Sequence, residues 1–487
     1  MNPAATPERP AAAAETRTLD HDIWAMAWPA MLSFLVVNVV DVTDVAFVGR
    51  LGRHTVAAWS YAAQCVHLVE TLVQSVGVGC VALMARAAGA RDPARARRVL
   101  AGSILVSQAV ALLGLLLAVF APRRILALLG AEPDVIETAV PYLRLFASSM
   151  VLYAAAFMFE SGLRAHKSTR GPMLIAIVVM TVKAILSFGL IFGAWGLPRL
   201  GLVGAGAATV AAHAVGLVLY VAIARVLARE GLAVTFRWRD LLAGRQSASE
   251  TLAVSLPTMG ERLIMSLALL TYFKILSSYG TAAIAAYGIG VRLLSFSWAP
   301  GLGFGAAAST FVGQALGAND SRGARRVGYR SVRLALIVMC ALGVAFFLFR
   351  RQLAGAFTND PQVVEDLVPF MMMLAIAQPF MGSHFTLGGV LRGAGDTVTP
   401  LVGAAVGNWG FRVPLAWLFT RAFGHRLGWV WASLIADHFV RMTINAAAFV
   451  RGRWARRTGA TLRGHGGSVA DPVGTSRGAE VAPLEQN

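Results

Sequence analysis

Gly89-Ala-Arg-Asp92-Pro-Ala-Arg-Ala-Arg97-Arg98 returns, 228 positions later, as Gly317-Ala-Asn-Asp320-Ser-Arg-Gly-Ala-Arg325-Arg326. Both copies are small-residue turns that carry an aspartate, end in paired arginines and lie between long apolar runs. Working outward at the same shift, Pro29 meets Pro257, Pro133 meets Pro361, Pro141 meets Pro369 and Pro172 meets Pro400. Proline supplies 19 of 487 residues, yet four of the six prolines from Pro29 to Pro172 land on proline, where chance gives about 0.25. Gly52 and Gly280, Glu137 and Glu365, and Leu163-Arg164 and Leu391-Arg392 also coincide. The chain is a duplicated unit.

Composition fixes the solvent. Hydrophobic residues make up 57%, charged residues 14% and mean hydropathy is +0.64, against about 25% charge in ordinary soluble proteins. This is a polytopic membrane protein. Cys65, Cys80 and Cys340 sit in apolar stretches, which suits neither a disulfide framework nor a metal site, and no cofactor is expected. A net charge of +18 could suggest nucleic acid, but the basic residues fall in alternate loops, 27 on the side of the N-terminus against 9 on the other. That asymmetry follows the positive-inside rule: both termini are expected in the cytoplasm, in a multi-pass inner (plasma) membrane protein, with the bilayer as partner and no nucleic acid.

Apolar runs long enough to span lie near 24–48, 56–82, 99–121, 141–163, 171–194 and 201–228, and again near 252–278, 283–311, 328–350, 367–391, 399–421 and 427–451. The expected fold is therefore all-α, with twelve transmembrane helices in two six-helix lobes. Because each half has an even number of spans, both enter the membrane in the same sense, and the pseudo-twofold axis lies along the membrane normal. The organisation reads as a disordered cytoplasmic tail (1–20), a first lobe (21–228), a cytoplasmic linker (229–250), a second lobe (251–451) and a second disordered tail (452–487).

Four motifs carry a family resemblance. They are Asp44-Val-Ala-Phe-Val-Gly-Arg-Leu-Gly52, Leu256-Pro-Thr-Met-Gly-Glu261-Arg262 with Ala285-Ala-Tyr-Gly-Ile-Gly-Val-Arg292, Val312-Gly-Gln-Ala-Leu-Gly-Ala318, and Gly389-Val-Leu-Arg-Gly-Ala-Gly-Asp-Thr-Val-Thr-Pro400. In this order, and over nearly the whole membrane region, they resemble the multidrug and toxic compound extrusion (MATE) family. The resemblance implies a transporter, not an enzyme: a twelve-helix antiporter that exports amphipathic, often cationic organic compounds against inward-moving H⁺ or Na⁺.

Charges at membrane depth cost from about 2.5 to more than 10 kcal/mol, so each needs a partner, water or a role. Asp41 and Asp44 are three apart on one helix face, and their repulsion makes protonation of one easy unless a cation lies nearby. Lys183 is that cation; Asp41–Lys183 reads either as a proton-exchanging element or as a static pair between helices one and five. In the second half, Asp437 and Arg441 are four apart on helix twelve, Arg412 is placed to reach Asp437, and Glu261 and Arg292 lie on consecutive helices. These charges and His384 form a candidate substrate or charge network, with structural pairing as the alternative. Met371, Met372, Met373 and Met381 read as core or as an adaptable cleft.

Departures from the family bear on the ion. The resemblance places an Asn-x-x-x-Asp pattern on helix five, where this chain has Lys183 and Ser187; Met265 and Met381 take the places of second-half acids. A hard cation wants oxygen ligands and no fixed ammonium beside them, so H⁺ is expected over Na⁺. Other readings are Na⁺-coupled export, a lipid-linked sugar flippase of the same superfamily, and an intramembrane prenyltransferase. The last needs a second Asp-rich motif, which is missing. A monomer is expected.

Overall fold

The computed structural model describes residues 8–455 apart from 236–237, 359, 423–426 and 453. The first lobe comprises α1 (Glu8–Gly49), α2 (Arg53–Gly89), α3 (Pro93–Phe120), α4 (Pro133–Ala165), α5 (Arg170–Phe192) and α6 (Leu202–Arg229). The second comprises α7 (Trp238–Leu276), α8 (Thr281–Gly317), α9 (Ser321–Leu348), α10 (Pro361–Gly393), α11 over 398–422 and α12 (Leu427–Arg451). Nine helices among the described residues are long and apolar enough to span by composition alone. The other three are α8, diluted by Gly and Ser; α11, which is interrupted; and α12, which carries Asp437, His438 and Arg441.

The duplication is visible residue by residue. The starts of α2, α3, α4 and α5 and the ends of α2, α3 and α4 all reappear 228 positions on, as in Arg53 with Thr281 and Ala165 with Gly393. The physical cause is local and duplicated. Asp92 Oδ1 caps α3 by accepting from Arg95 N at 2.8 Å, and Asp320 Oδ1 caps α9 by accepting from Gly323 N at 2.7 Å. The residue before each cap is left-handed, Arg91 at φ 53° and Asn319 at φ 60°. Gly52 and Gly280 enter α2 and α8 at φ 104° and 93° with ψ near 180°, a region essentially closed to other residues.

Each lobe has its own apolar core, the first built around Val73, Leu100, Leu143 and Met158, the second around Tyr272, Phe370, Met371 and Trp431. At the end carrying the Gly89 and Gly317 turns the lobes interlock. A Cβ on Gly89 would strike the Gln314 carbonyl and one on Gly317 the Arg86 carbonyl, so only glycine lets α2 and α8 cross this closely. Gln314 occupies the place of Arg86 in the second copy. Each reaches across to the other lobe: Arg86 donates to the Ala394 carbonyl, and Gln314 Nε2 to the Ala165 carbonyl at 2.7 Å.

Three boundaries differ from the sequence expectation. Residues 8–20 are helical, continuing α1, and Asp20 pairs with Arg330 at 3.3 Å. Residues 238–250 are the first turns of α7, held to α3 through Arg95–Glu250 at 3.5 Å and Arg97–Asp240 at 3.9 Å. Trp454 folds back to stack on Phe449. Residues 1–7 and 456–487 of the expected tails lie outside the described residues.

Helix α11 contains the one irregularity that bears on the site. It runs as Val398–Ala405, a π-helical stretch Val406–Arg412, then Val413–Ala422. A π-bulge inserts one residue into a helix. Arg412, the last residue of this stretch, packs on Tyr272 as Lys183 of α5 packs on Asp44; Tyr272 follows Asp44 by 228 positions and Arg412 follows Lys183 by 229.

Candidate functional site: two charged clusters

In the first lobe α1 brings Asp41 and Asp44 against Lys183 of α5. Lys183 Nζ lies 2.7 Å from Asp44 Oδ2 and 3.8 Å from Asp41 Oδ1. Asp44 and Lys183 side chains are 12% and 11% exposed, Asp41 61%. Both aspartates lie within ion-pair distance of Lys183, with Asp44 the closer, buried partner and Asp41 the longer, exposed one. Three residues advance a helix by about 4.5 Å, so a single ammonium bonds one of the two carboxylates tightly. Asp41 is left largely exposed. Asp44 Oδ1 and Ser187 Oγ are buried without a hydrogen-bond partner.

A polar chain from α2 extends this cluster. Gln74 Nε2 donates to Glu70 Oε1 at 3.1 Å and to the Tyr153 hydroxyl at 3.2 Å; His67 lies 3.7 Å from Glu70, and Tyr153 packs on His213 at 5.3 Å between rings. Glu70 was legible as an acid inside an apolar run. Its partners were not, because Gln, Tyr and His at membrane depth are ordinary core polar residues by composition.

The second lobe is held differently. Glu261 of α7 accepts two hydrogen bonds from Arg392 Nη2, at 2.8 and 2.7 Å. Arg292, the expected partner, is exposed on α8. Consecutive position misled here: α7 leaves α8 to pack on α2 and α3 of the first lobe, while the end of α10 delivers Arg392. Asp437 binds Arg441 Nε at 2.7 Å and lies 3.9 Å from Arg412 Nη1, while Arg412 stacks 4.5 Å over the Tyr272 ring. His384 Nε2 sits 3.0 Å from His438 Nδ1, one ring donating and the other accepting, with their rings stacked. Met265 faces the cluster, its Sδ 3.7 Å from Arg441 Nη1, whereas Met371 and Met381 are fully buried in the core.

The motif ending in Pro400 has a structural explanation. Asp396 accepts from Thr399 N at 3.0 Å and from Thr399 Oγ1 at 2.7 Å, fastening the turn that fixes Arg392 at the end of α10. Among the described residues, no group of His, Cys, Asp and Glu is arranged to hold a metal ion. A separate cavity of about 460 Å³ lies at the interlocked end, lined by Asp22, His166, Lys167 and Phe311. Burial lowers the pKa of both His166 and Lys167 in this loop.

Two like helical lobes, each burying ion pairs at membrane depth, form the architecture of a membrane transporter. The MatE family model matches the chain twice, at residues 29–188 and 257–418, once per lobe, with the two matches beginning 228 residues apart. The chain belongs to the multidrug and toxic compound extrusion family. It is 26% identical over 447 residues to a probable multidrug resistance protein NorM of Thermotoga maritima, covering 91% of this chain and 95% of that protein. It is 29% identical over 434 residues to one of Bradyrhizobium diazoefficiens, covering 85% and 90%. The fold matches the Vibrio cholerae MATE transporter VcmN in its bent form with TM-score 0.83 at 23% identity, over 91% of this chain and 99% of that one.

Proposed function

We propose that this protein is a proton-coupled antiporter that exports amphipathic, cation-bearing organic compounds. The carrying observation is the Asp44–Lys183 contact with the more exposed Asp41 beside it. Every member of that triad can exchange a proton, and an ammonium 2.7 Å from Asp44 occupies the space a hard metal ion would need. The probable multidrug resistance proteins among its relatives support the export of organic compounds. Both termini and the basic turns are assigned to the cytoplasm of an inner membrane, and the lobes to units that move against one another across the 229–250 connection.

On this reading the interlocked Arg86 and Gln314 contacts close the cytoplasmic side, and the cleft opens outward. A proton arriving from outside reaches Asp41 first, because it is the exposed carboxylate. Neutralising Asp41 or Asp44 releases Lys183 from its pair and raises the local positive charge, which expels the cationic part of the substrate. Drug leaves as the proton enters. Rocking of the lobes then exposes the pair to the more alkaline cytoplasm, where the proton departs.

The test uses purified protein in sodium-free vesicles. Uphill export is expected under an imposed pH gradient and little under a Na⁺ gradient at matched pH. Strong export under Na⁺ alone, insensitive to a protonophore, overturns the reading.

A further inference from the structure

The cavity of about 460 Å³ at the interlocked end takes its walls from both lobes. Asp22 of α1 and the 166–170 turn between α4 and α5 form the first-lobe side, and Phe311 of α8 the second-lobe side. Its charge is lopsided. Lys167 and Arg170 have no carboxylate within 4 Å among the described residues, and Asp22, the single acid in the lining, lies 3.7 Å from His21 instead. Lys167 Nζ sits 4.5 Å over the Phe311 ring, which stabilises the ammonium without neutralising it. Thr169 is only 4% exposed, yet its hydroxyl neither caps α5 nor meets another partner among the described residues. A buried hydroxyl left unbonded in a cavity wall is costly unless a group in the cavity pairs with it.

The duplicated turn shows what such a helix start accepts. At the 228-residue shift the 166–170 turn becomes Ala394-Gly-Asp-Thr-Val398, and the backbones agree. Lys167 and Gly395 are both left-handed, at φ 62° and 76°, and Ser168 N and Asp396 N donate to Leu163 O and Leu391 O at 3.0 and 2.8 Å. The side chains differ. Asp396 lays a carboxylate on the start of α11, accepting from Thr399 N at 3.0 Å and Thr399 Oγ1 at 2.7 Å. In the first copy Ser168 replaces Asp396 and Gly171 replaces Thr399, and Gly171 N has no acceptor among the described residues. One copy carries its own anion at the helix start; the other has a cavity lined by cations.

We infer that this cavity is a phosphate-binding site. A phosphate monoester or diester takes the place that the Asp396 carboxylate holds in the second copy, at the start of α5, with Thr169 donating its hydroxyl and Lys167 and Arg170 supplying the positive charge. A helix start offers such a group amide donors and a favourable dipole. Two cations, a hydroxyl and a free amide exceed what one carboxylate accepts and match the several oxygens of a phosphate. The cavity has room beyond the phosphate for its substituent. A lipid headgroup and a phosphate from solution would meet the same residues.

The test follows the melting temperature of the full chain in nanodiscs, without any gradient, so that it stands whether or not export is proton-coupled. In one arm the discs are phosphatidylcholine and inorganic phosphate replaces chloride at matched pH and ionic strength. In the other, phosphate is left out and the fraction of phosphatidylglycerol is raised. A ligand that binds only the folded protein raises the melting temperature with its concentration, and the dependence gives its affinity. A rise in the first arm assigns the site to phosphate in solution, a rise in the second to a lipid headgroup, and a rise in both to either source. Thr169→Val should weaken binding by about tenfold and Thr169→Ser restore it, while Lys167→Gln with Arg170→Gln should weaken it by about a hundredfold. The threonine variants separate a built site from a diffuse basic surface, which would not register the loss of one buried hydroxyl. No rise in either arm, or a rise of equal size in the unmodified protein and in Thr169→Val, overturns the site.

Discussion

Lys183 and Arg412 occupy corresponding places in the two copies, once the residue inserted by the π-helix is allowed for, and so do Asp44 and Tyr272, 228 positions apart. In the first lobe the contact is an ammonium on a carboxylate at 2.7 Å. In the second it is a guanidinium 4.5 Å over a phenol ring. One frame thus carries two chemistries. Lysine and aspartate can both change charge; arginine cannot, and stacking over an aromatic ring stabilises it without a proton. Divergence at one pair of positions left a titratable element in the first lobe and a permanently cationic one in the second.

The strongest way to break that contrast is Asp44→Asn. Removing one partner of a buried ion pair strands the other charge, at a cost of about 3–5 kcal/mol. The expected outcome is loss of pH-driven export together with a large fall in the melting temperature. Adding Lys183→Met should recover most of the stability and none of the transport. A double variant that stays as unstable as the sum of its parts would dismiss the pair as the stabilising contact. The same structure reverses the weight given to Asp41: Asp41→Asn should leave melting nearly unchanged, because an exposed ion pair contributes about 1 kcal/mol or less. It should still slow pH-driven export by about a hundredfold, the low end of what a positioned proton-transfer group contributes. Unaltered export by a well-expressed Asp41→Asn protein would remove Asp41 from the proton path.

Arg412→Met tests the other side of the comparison. Asp437 keeps its 2.7 Å bond to Arg441, so no carboxylate is stranded, and the loss should be that of a cation–π contact, about 1–2 kcal/mol. The pH dependence of export should keep its shape. A shifted profile would mean that the second lobe also takes part in proton coupling.

What the sequence revealed follows from the kind of signal each feature leaves. The duplication was legible because Pro, Gly and the Asp92 and Asp320 caps are set by backbone geometry, which survives divergence. The spans were legible because hydrocarbon demands about 20 apolar residues. Partner choice was not, since Asp41 and Asp44 share a face and only the height of Lys183 on α5 decides between them. Arg392 stood in a quoted motif, yet its bond to Glu261 needs α7 to part from α8, a tertiary event. The insertion in Val406–Arg412 leaves no periodic mark, so the correspondence of Lys183 with Arg412 emerges only from coordinates. Residues 8–20, read as part of a disordered tail, are helical instead because Ala-rich sequence with mixed charge is also good helix, and α1 beyond it gives that helix a nucleus.

The smallest effect concerns a place where the two copies stayed nearly alike. Arg86 and Gln314 each cross the axis to a carbonyl of the opposite lobe, but Arg86 brings a charged donor and Gln314 a neutral one. A neutral hydrogen bond contributes about 1 kcal/mol and a charge-assisted one roughly twice that. Gln314→Ala should therefore move the balance between cytoplasm-closed and cytoplasm-open forms by about fivefold, and Arg86→Ala by more. Spin labels on the α2–α3 and α8–α9 turns would report both as a longer-distance population. Gln314→Arg, which makes the two sides chemically equal, should shift it the opposite way. If both alanine variants leave the distance distribution untouched, closure resides in the glycine crossing of α2 and α8, and the two donors merely satisfy helix ends.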